Sequence, residues 1–350
     1  MRHPDKRTWI IMLPTSIGET ALVCSFAEAF VKKHGYGITL VVKPEHFALT
    51  QMYPGRFEQV IVMELDEMAQ AMRYFPPHQF EVDVPFAASC CHLGDARIDS
   101  ICYLMKFPGR GGLNYLDMFR HLLMLPWDAR IERPKVPADW LVKAQNYAKE
   151  IGLVPNKSII LFPATSSDPR KCPDILWNTL VARLKTKGYK IFCNMTGGIH
   201  KPQTMPIEGT TPIEVSMEMA LPLVSLAGGS VCTGHGMQFL ITLGGQFQRM
   251  TSFFPLTGNS KDYEQDGHLY ASTMTQSQLM APEMYLNIPY MEYGISTEAS
   301  DEEIERIAIA AADQSALDPN CYRHFSAPGV LYVDAHADWL SKLIEPIKRQ

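Results

Sequence analysis

Residues 9–30 hold the feature that most narrows what this chain can fold into. An apolar run, Trp9-Ile10-Ile11-Met12-Leu13, leads through the polar stretch TSIGE into a helical stripe of Leu22, Phe26, Ala29 and Phe30. A short continuous apolar run suits a strand of a parallel sheet covered on both faces. The i, i+4, i+7, i+8 spacing marks the core-facing side of a helix, which should stop near Gly35 and Gly37. Strand, glycine loop and helix in that order form the opening βα unit of a doubly wound sheet, in which ligands sit outside the carboxyl ends of the strands. Glu19 then stands at a helix start, at the mouth of a cleft, beside Gly18. A carboxylate there either stabilises the helix dipole, by roughly 0.3–1 kcal/mol, or serves as a general base.

The same pattern continues down the chain. Strands are expected at 38–42, 60–63, 80–84 and 98–103, a loop at 107–112 and a helix at 114–125. Four prolines and mixed charge in PWDARIERPKVPADW, residues 126–140, mark a linker. A helix over about 140–151 follows, and the βα pattern restarts: strand 158–162, loop PATSSDPRKCP, helix 174–187, strand 190–195. A helix over 216–226 carries Pro222, which should kink it. A strand at 230–233 and a helix at 236–243 complete the alternation. Two βα halves in tandem predict an α/β chain of two doubly wound, Rossmann-like domains facing a cleft. Residues 257–292 read as a long polar, irregular stretch. Ser300-Asp-Glu-Glu303 is a capping box that opens another helix, and Asp334 caps a last one.

Composition excludes several classes. At 350 residues the chain is long for one core and comfortable for two. A formal net charge of −5 gives no basic footprint for nucleic acid. No run of about 18 apolar residues is present, so no spanning helix is expected. The basic start MRHPDKR precedes only about five apolar residues, too few for a signal peptide. The eight cysteines form no CxxC pair, and several sit in apolar runs as small buried hydrophobes do, which fits a reducing cytoplasm. Cys90-Cys91-His92 reads as a strand end or loop, and Asp334-Ala-His336-Ala-Asp338 as a cap and helix surface, rather than as metal sites. No GxGxxG follows the first strand, which argues against a dinucleotide-dependent oxidoreductase.

The loops after the strands carry groups suited to phosphate. Thr165, Ser166, Ser167 and Lys171 precede one helix, Thr233-Gly234-His235-Gly236-Met237 another, and Thr196-Gly197-Gly198 follows a strand end. Loop amides, hydroxyls and helix N-termini hold phosphates without a metal. For Lys171 the other reading is a solvated loop charge, and for His235 a turn. Arg110, Arg120 and His121, in RGGLNYLDMFRH, suit an anionic or sugar ligand or else a solvated helix face. Glu214, before the helix at 216, can accept from paired ribose hydroxyls.

Three segments taken together resemble glycosyltransferase family 9, the heptosyltransferase-like enzymes of the GT-B fold. They are Ile17-Gly18-Glu19-Thr20-Ala21-Leu22, the stretch ILFPATSSDPRKCPDILWNTLVARL, and SVCTGHGMQFLITLGG. Their order and spacing match over most of residues 8–315. The resemblance implies an acceptor-binding domain at 1–140, a nucleotide-sugar-binding domain at 141–315 and an extension at 316–350. It implies a metal-independent, inverting transfer with no cofactor, from a nucleotide-diphosphate sugar to a glycan, lipid-linked or protein acceptor. The setting would be the cytoplasm, with peripheral membrane contact, in bacterial surface-glycan or glycoprotein synthesis. Glu19 would be the base. Thr165, Ser166, Lys171, Thr196, Gly197, Glu214, Gly234, His235, Gly236 and Met237 would hold the donor. Ser16, Gly18, Arg110, Arg120 and His121 would face the acceptor. Three positions depart from the family: Glu19 replaces its Asp, Gly234 its donor-turn Asp, and Phe239 its His. Those departures keep open a catalytically inactive binding relative. A nucleotide-sugar epimerase of the same architecture is the other alternative.

Overall fold

The computed structural model describes residues 8–13, 17–72, 87–89, 115–164, 172–196, 205–233, 236–244, 249–256, 290–296 and 299–316. Two all-parallel sheets are present. The first has the order β3-β2-β1-β4, with β1 Thr8–Leu13, β2 Gly37–Val42, β3 Gln59–Val62 and β4 Ala87–Ser89. The second has the order β10-β9-β8-β5-β6-β7. Its strands are β5 Ser158–Phe162, β6 Lys190–Asn194, β7 Thr211–Ile213, β8 Gly229–Thr233, β9 Arg249–Leu256 and β10 Tyr290–Ser296. Counted within its own half, the second order is 3-2-1-4-5-6 read backwards, the doubly wound topology expected from the alternating pattern. The chain order reverses between β5 and β8, and in the first sheet between β1 and β4.

Ten α-helices cover the sheets among the described residues: α1 Ile17–Ser25, α2 Ala27–His34, α3 Phe47–Gln51, α4 Leu65–Met72, α5 Tyr115–Leu122, α6 Ala138–Glu150, α7 Asp174–Thr186, α8 Met217–Ala227, α9 Gly236–Gly244 and α10 Asp301–Ser315. The single helix expected to carry Leu22, Phe26, Ala29 and Phe30 and to stop near Gly35 is two. The Ser25 hydroxyl donates to Leu22 O at 2.6 Å, within its own turn, a back-bond that bends helices. Phe26 takes φ −94° and ψ 0° at the break, and Gly35 ends α2 in the left-handed region at φ 73°. α8 runs through Pro222 without ending.

Residues 18–25 are all buried. α1 is therefore not the one-sided helix its stripe suggested. It packs against α9 of the second half and meets α2, α3 and α5 of its own, and Glu19, Thr20 and Ser25 are buried along with its apolar residues. One core runs through both halves, from Ile11, Leu22 and Phe30 to Leu221, Leu240 and Leu243. A second, from Ile159 and Trp177 to Tyr293 and Ile307, lies under α7 and α10. The 126–140 segment is pinned rather than loose. Glu132 N donates to Ser25 O at 2.7 Å and Lys135 N to Met52 O at 2.8 Å. Arg133 Nη1 donates to Leu243 O at 3.1 Å and to Thr242 O at 3.4 Å.

Strands β4, β7, β9 and β10 were not expected from the sequence. Those expected at 80–84 and 98–103, the loop at 107–112, the Cys90-Cys91-His92 and Asp334–Asp338 motifs and the final helix lie outside the described residues, as does most of 257–292.

Candidate functional site

In a parallel sheet every carboxyl end faces the same edge, so topology alone gathers a set of groups. At that edge of the first sheet, β1 leads into α1, whose first turn holds Gly18, Glu19 and Thr20. β2 leads to a short 3-10 helix, Pro44–His46. At that edge of the second sheet, β5 ends at Phe162, β6 leads into Met195-Thr196, β7 into Glu214, and β8 ends at Thr233 just before α9. Thr233 Oγ1 approaches Phe162 O at 3.5 Å, across the point where strand order reverses. That is where ligands bind in such sheets.

Gly18 brings the two edges together. A Cβ added at Gly18 would lie 3.0 Å from Phe239 Cγ, with two more atoms of that side chain at 3.1 and 3.2 Å. Glycine is what lets the first turn of α1 approach α9 this closely. Glu19, the next residue, is 6% exposed. The aromatic ring of Phe239 fills the space against Gly18.

Thr20 and His46 form a polar pair beside Glu19 that the sequence reading missed. Thr20 Oγ1 lies 3.0 Å from His46 Nδ1, both groups buried. Burial, reinforced by the Lys43 charge, lowers the His46 pKa to about 4, so the imidazole is neutral at neutral pH. Lys43 pairs with Glu45 at 3.2 Å.

On the second sheet, Thr196 and Glu214 are tied by the side chain of Asn194. Asn194 Oδ1 accepts from Val215 N at 3.0 Å and from Thr196 N at 3.3 Å, and lies 2.7 Å from the Thr196 hydroxyl. Asn194 Nδ2 donates to Thr196 O at 2.9 Å. Thr196 Oγ1 also lies 3.1 Å from Val215 O. Glu214 N donates to Tyr147 Oη of α6 at 3.2 Å, and the Glu214 side chain is exposed. Gly236 and Met237 stand in the first turn of α9, Met237 half-buried against the shared core.

Arg120, an expected acceptor contact, is 5% exposed. Its Nη1 bonds Asp117 at 2.7 Å, its Nε donates to Ala129 O at 2.9 Å, and its guanidinium lies 5.6 Å from the Phe26 ring centre. These contacts fasten α5 to the segment that follows it. His121 lies in α5. Ser16, Arg110, Thr165, Ser166, Lys171, Gly197, Gly234 and His235 lie outside the described residues. Among the described residues no group of three or more His, Cys, Asp or Glu is placed to hold a metal ion, and no helix is long and apolar enough to cross a membrane.

No family model matches the chain, and no curated protein matches it in sequence. Solved structures do match. The glycosyltransferase family 9 structure from Veillonella parvula DSM 2008 superposes with a TM-score of 0.52 at 13% identity, over 90% of this chain and 95% of that one. The E. coli ADP-heptose LPS heptosyltransferase II does so with a TM-score of 0.54 at 10% identity, over 89% of this chain and 100% of that one. Strand order, the two tandem halves and near-complete coverage agree: the chain has the two-domain, Rossmann-like fold of these glycosyltransferases.

Proposed function

We propose that this chain is a glycosyltransferase that moves a sugar from a nucleotide-diphosphate donor to an acceptor hydroxyl, with inversion and without a metal. The observation that carries the reading is the contact of Gly18 with Phe239. It sets the Glu19 turn of the first half beside the helix that begins at the switch point of the second. In this reading residues 1–140 bind the acceptor, residues 141–315 bind the donor, and the contacts of Arg120 leave it out of the acceptor set. Glu19 takes the proton from the acceptor hydroxyl, whose oxygen forms a bond to the anomeric carbon as the bond to the diphosphate oxygen breaks. The N-terminus of α9 and the loops after β5 and β6 take up the charge left on the diphosphate. Packing around the Glu19 turn keeps water from competing for the donor. The likeness to an LPS heptosyltransferase supports a bacterial surface-glycan role, at the inner face of the membrane, for a glycan, lipid-linked or protein acceptor.

A thermal-shift screen against ADP, UDP, GDP, CDP and their sugars tests donor binding, because a ligand held by the folded state raises the midpoint by mass action. Glu19→Gln should then lower turnover by at least about 100-fold while nucleotide affinity stays within about threefold. Near-normal turnover would remove Glu19 from the role of base.

A second reading is a binding relative without turnover. The departures at Gly234 and Phe239 favour it, because the resembled family carries an acid and an imidazole at those places. Donor hydrolysis or transfer above background, lost in Glu19→Gln, excludes this reading. Sugar interconversion with no acceptor present would instead point to an epimerase.

A further inference from the structure

Glu214 stands in an unusual mechanical setting. It follows β7, a three-residue edge strand that contains Pro212. Short edge strands are among the first parts of a sheet to open. An exposed carboxylate in such a place would ordinarily move with its strand end. Here the main chain is held on both sides by side chains from two other elements. The amide of Glu214 bonds Tyr147 of α6, and the amide of Val215 bonds Asn194 at the end of β6. Asn194 uses its other bonds on the Thr196 turn, so the loops after β6 and β7 share one anchor. α6 is itself seated: it packs on α8, and its Lys143 meets Glu218 at 3.2 Å. Asn194 is buried and every polar atom of its side chain is used, so its orientation is determined.

We propose that Asn194 and Tyr147 are positioning residues that lock Glu214 and the Thr196 turn into one preformed ligand-facing unit at the carboxyl ends of β6 and β7. The ligand assigned to that unit, a nucleoside diphosphate, rests on the transferase reading. The lock itself is a property of the unliganded protein. Prior ordering lowers the entropy lost on binding, so the cost of loosening the unit appears as weaker affinity.

Amide exchange on the unliganded protein, followed by mass spectrometry over residues 212–217, reads the lock. Calorimetric titration with ADP, UDP, GDP and CDP reads its consequence. Asn194→Ala should speed exchange in that stretch by about tenfold or more and weaken the best-bound diphosphate by about tenfold. Tyr147→Phe removes one acceptor and keeps the ring; it should speed exchange at the Glu214 amide and weaken binding about threefold, and it tests the lock even if Asn194→Ala does not fold. Asn194→Asp keeps the oxygen that receives Val215 N but turns an acceptor toward Thr196 O, so it should restore slow exchange at Val215 only in part. Unchanged exchange in both Asn194→Ala and Tyr147→Phe overturns the proposal. So does faster exchange throughout residues 158–296 with unchanged affinity, the mark of a merely structural role. If the unmodified protein binds none of the four diphosphates, the transferase reading falls, and the exchange result alone decides the lock.

Discussion

His46 is a neutral imidazole enclosed by the first half of the molecule, with Thr20 as its hydrogen-bond partner and Lys43 and Glu45 as its charged neighbours. Its folded pKa of about 4 lies below the ordinary value of 6.5. Between those values the unfolded chain binds the proton and the folded chain does not, so stability falls as pH drops through that window. The loss between pH 7 and pH 4 should be about 3 kcal/mol from this one group. Urea unfolding at several pH values checks it: His46→Gln, which keeps a partner for Thr20, should flatten the slope between pH 6.5 and 4. An equally steep slope would show that His46 is not the group responsible. The pairs made by His46 and Asn194 span 26 and 21 residues, and nothing local in the sequence announces them. The place of Glu19 in the first turn of α1 was legible because its cue is local, a carboxylate beside a glycine between a strand and a helix. The enclosure of Arg120 by Asp117 and Ala129 O was not legible. A charged residue on a helix reads as solvated or ligand-facing until the carbonyl and the carboxylate that enclose it are known.

Among the elements, α10 illustrates what local sequence carries well. The Ser300 hydroxyl accepts from Glu303 N at 3.3 Å, and Glu303 Oε2 accepts from Ser300 N at 2.9 Å, the reciprocal bonds read from SDEE. Ser300→Ala should lower stability by about 1 kcal/mol, measured by urea denaturation. The helix should persist, because it is seated on α7 by its apolar face and by the Arg183–Asp313 pair at 2.9 Å. Strands β1, β2, β5, β6 and β8 were legible as buried apolar runs. The edge strand β3 was legible too, as the strand expected at 60–63, whereas β4, β7, β9 and β10 were not. β4 and β7 are three residues each, Ala-Ala-Ser and Thr-Pro-Ile, too short for any period to show. The join between α1 and α2 was missed because it depends on one hydroxyl bonding backward within its own turn.

At the scale of the molecule, the stretch expected to be a linker is a strap. Its backbone bonds reach Ser25 and Met52 in the first half, and Arg133 reaches the last carbonyls of α9 in the second. A guanidinium at a helix C-terminus satisfies carbonyls that have no partner within the helix and complements the dipole. Arg133→Ala should cost about 1–2 kcal/mol, with Arg133→Lys recovering only part, because both bonds come from one guanidinium nitrogen, Nη1, whose planar geometry a lysine ammonium does not reproduce. Urea midpoints of the three proteins test this, and equal midpoints would show that the strap is held by its backbone bonds alone. Two tandem halves were visible in the sequence from the repeated βα pattern. Their shared core was not, because nothing in the sequence of α1 names the helix that covers it, α9, some 200 residues away.

The burial of α1 from both sides has a consequence for how the protein is made. A ribosome releases α1 long before α9, the helix that closes over it, some 200 residues later. At about 5–20 residues per second the interval is on the order of 10–40 s. Throughout that time Ala21, Leu22, Val23 and Cys24 can pack against the helices of their own half but not against α9. The first half of this chain is thus a nascent intermediate with an apolar face that stays uncovered, and prone to aggregation, until the second half arrives.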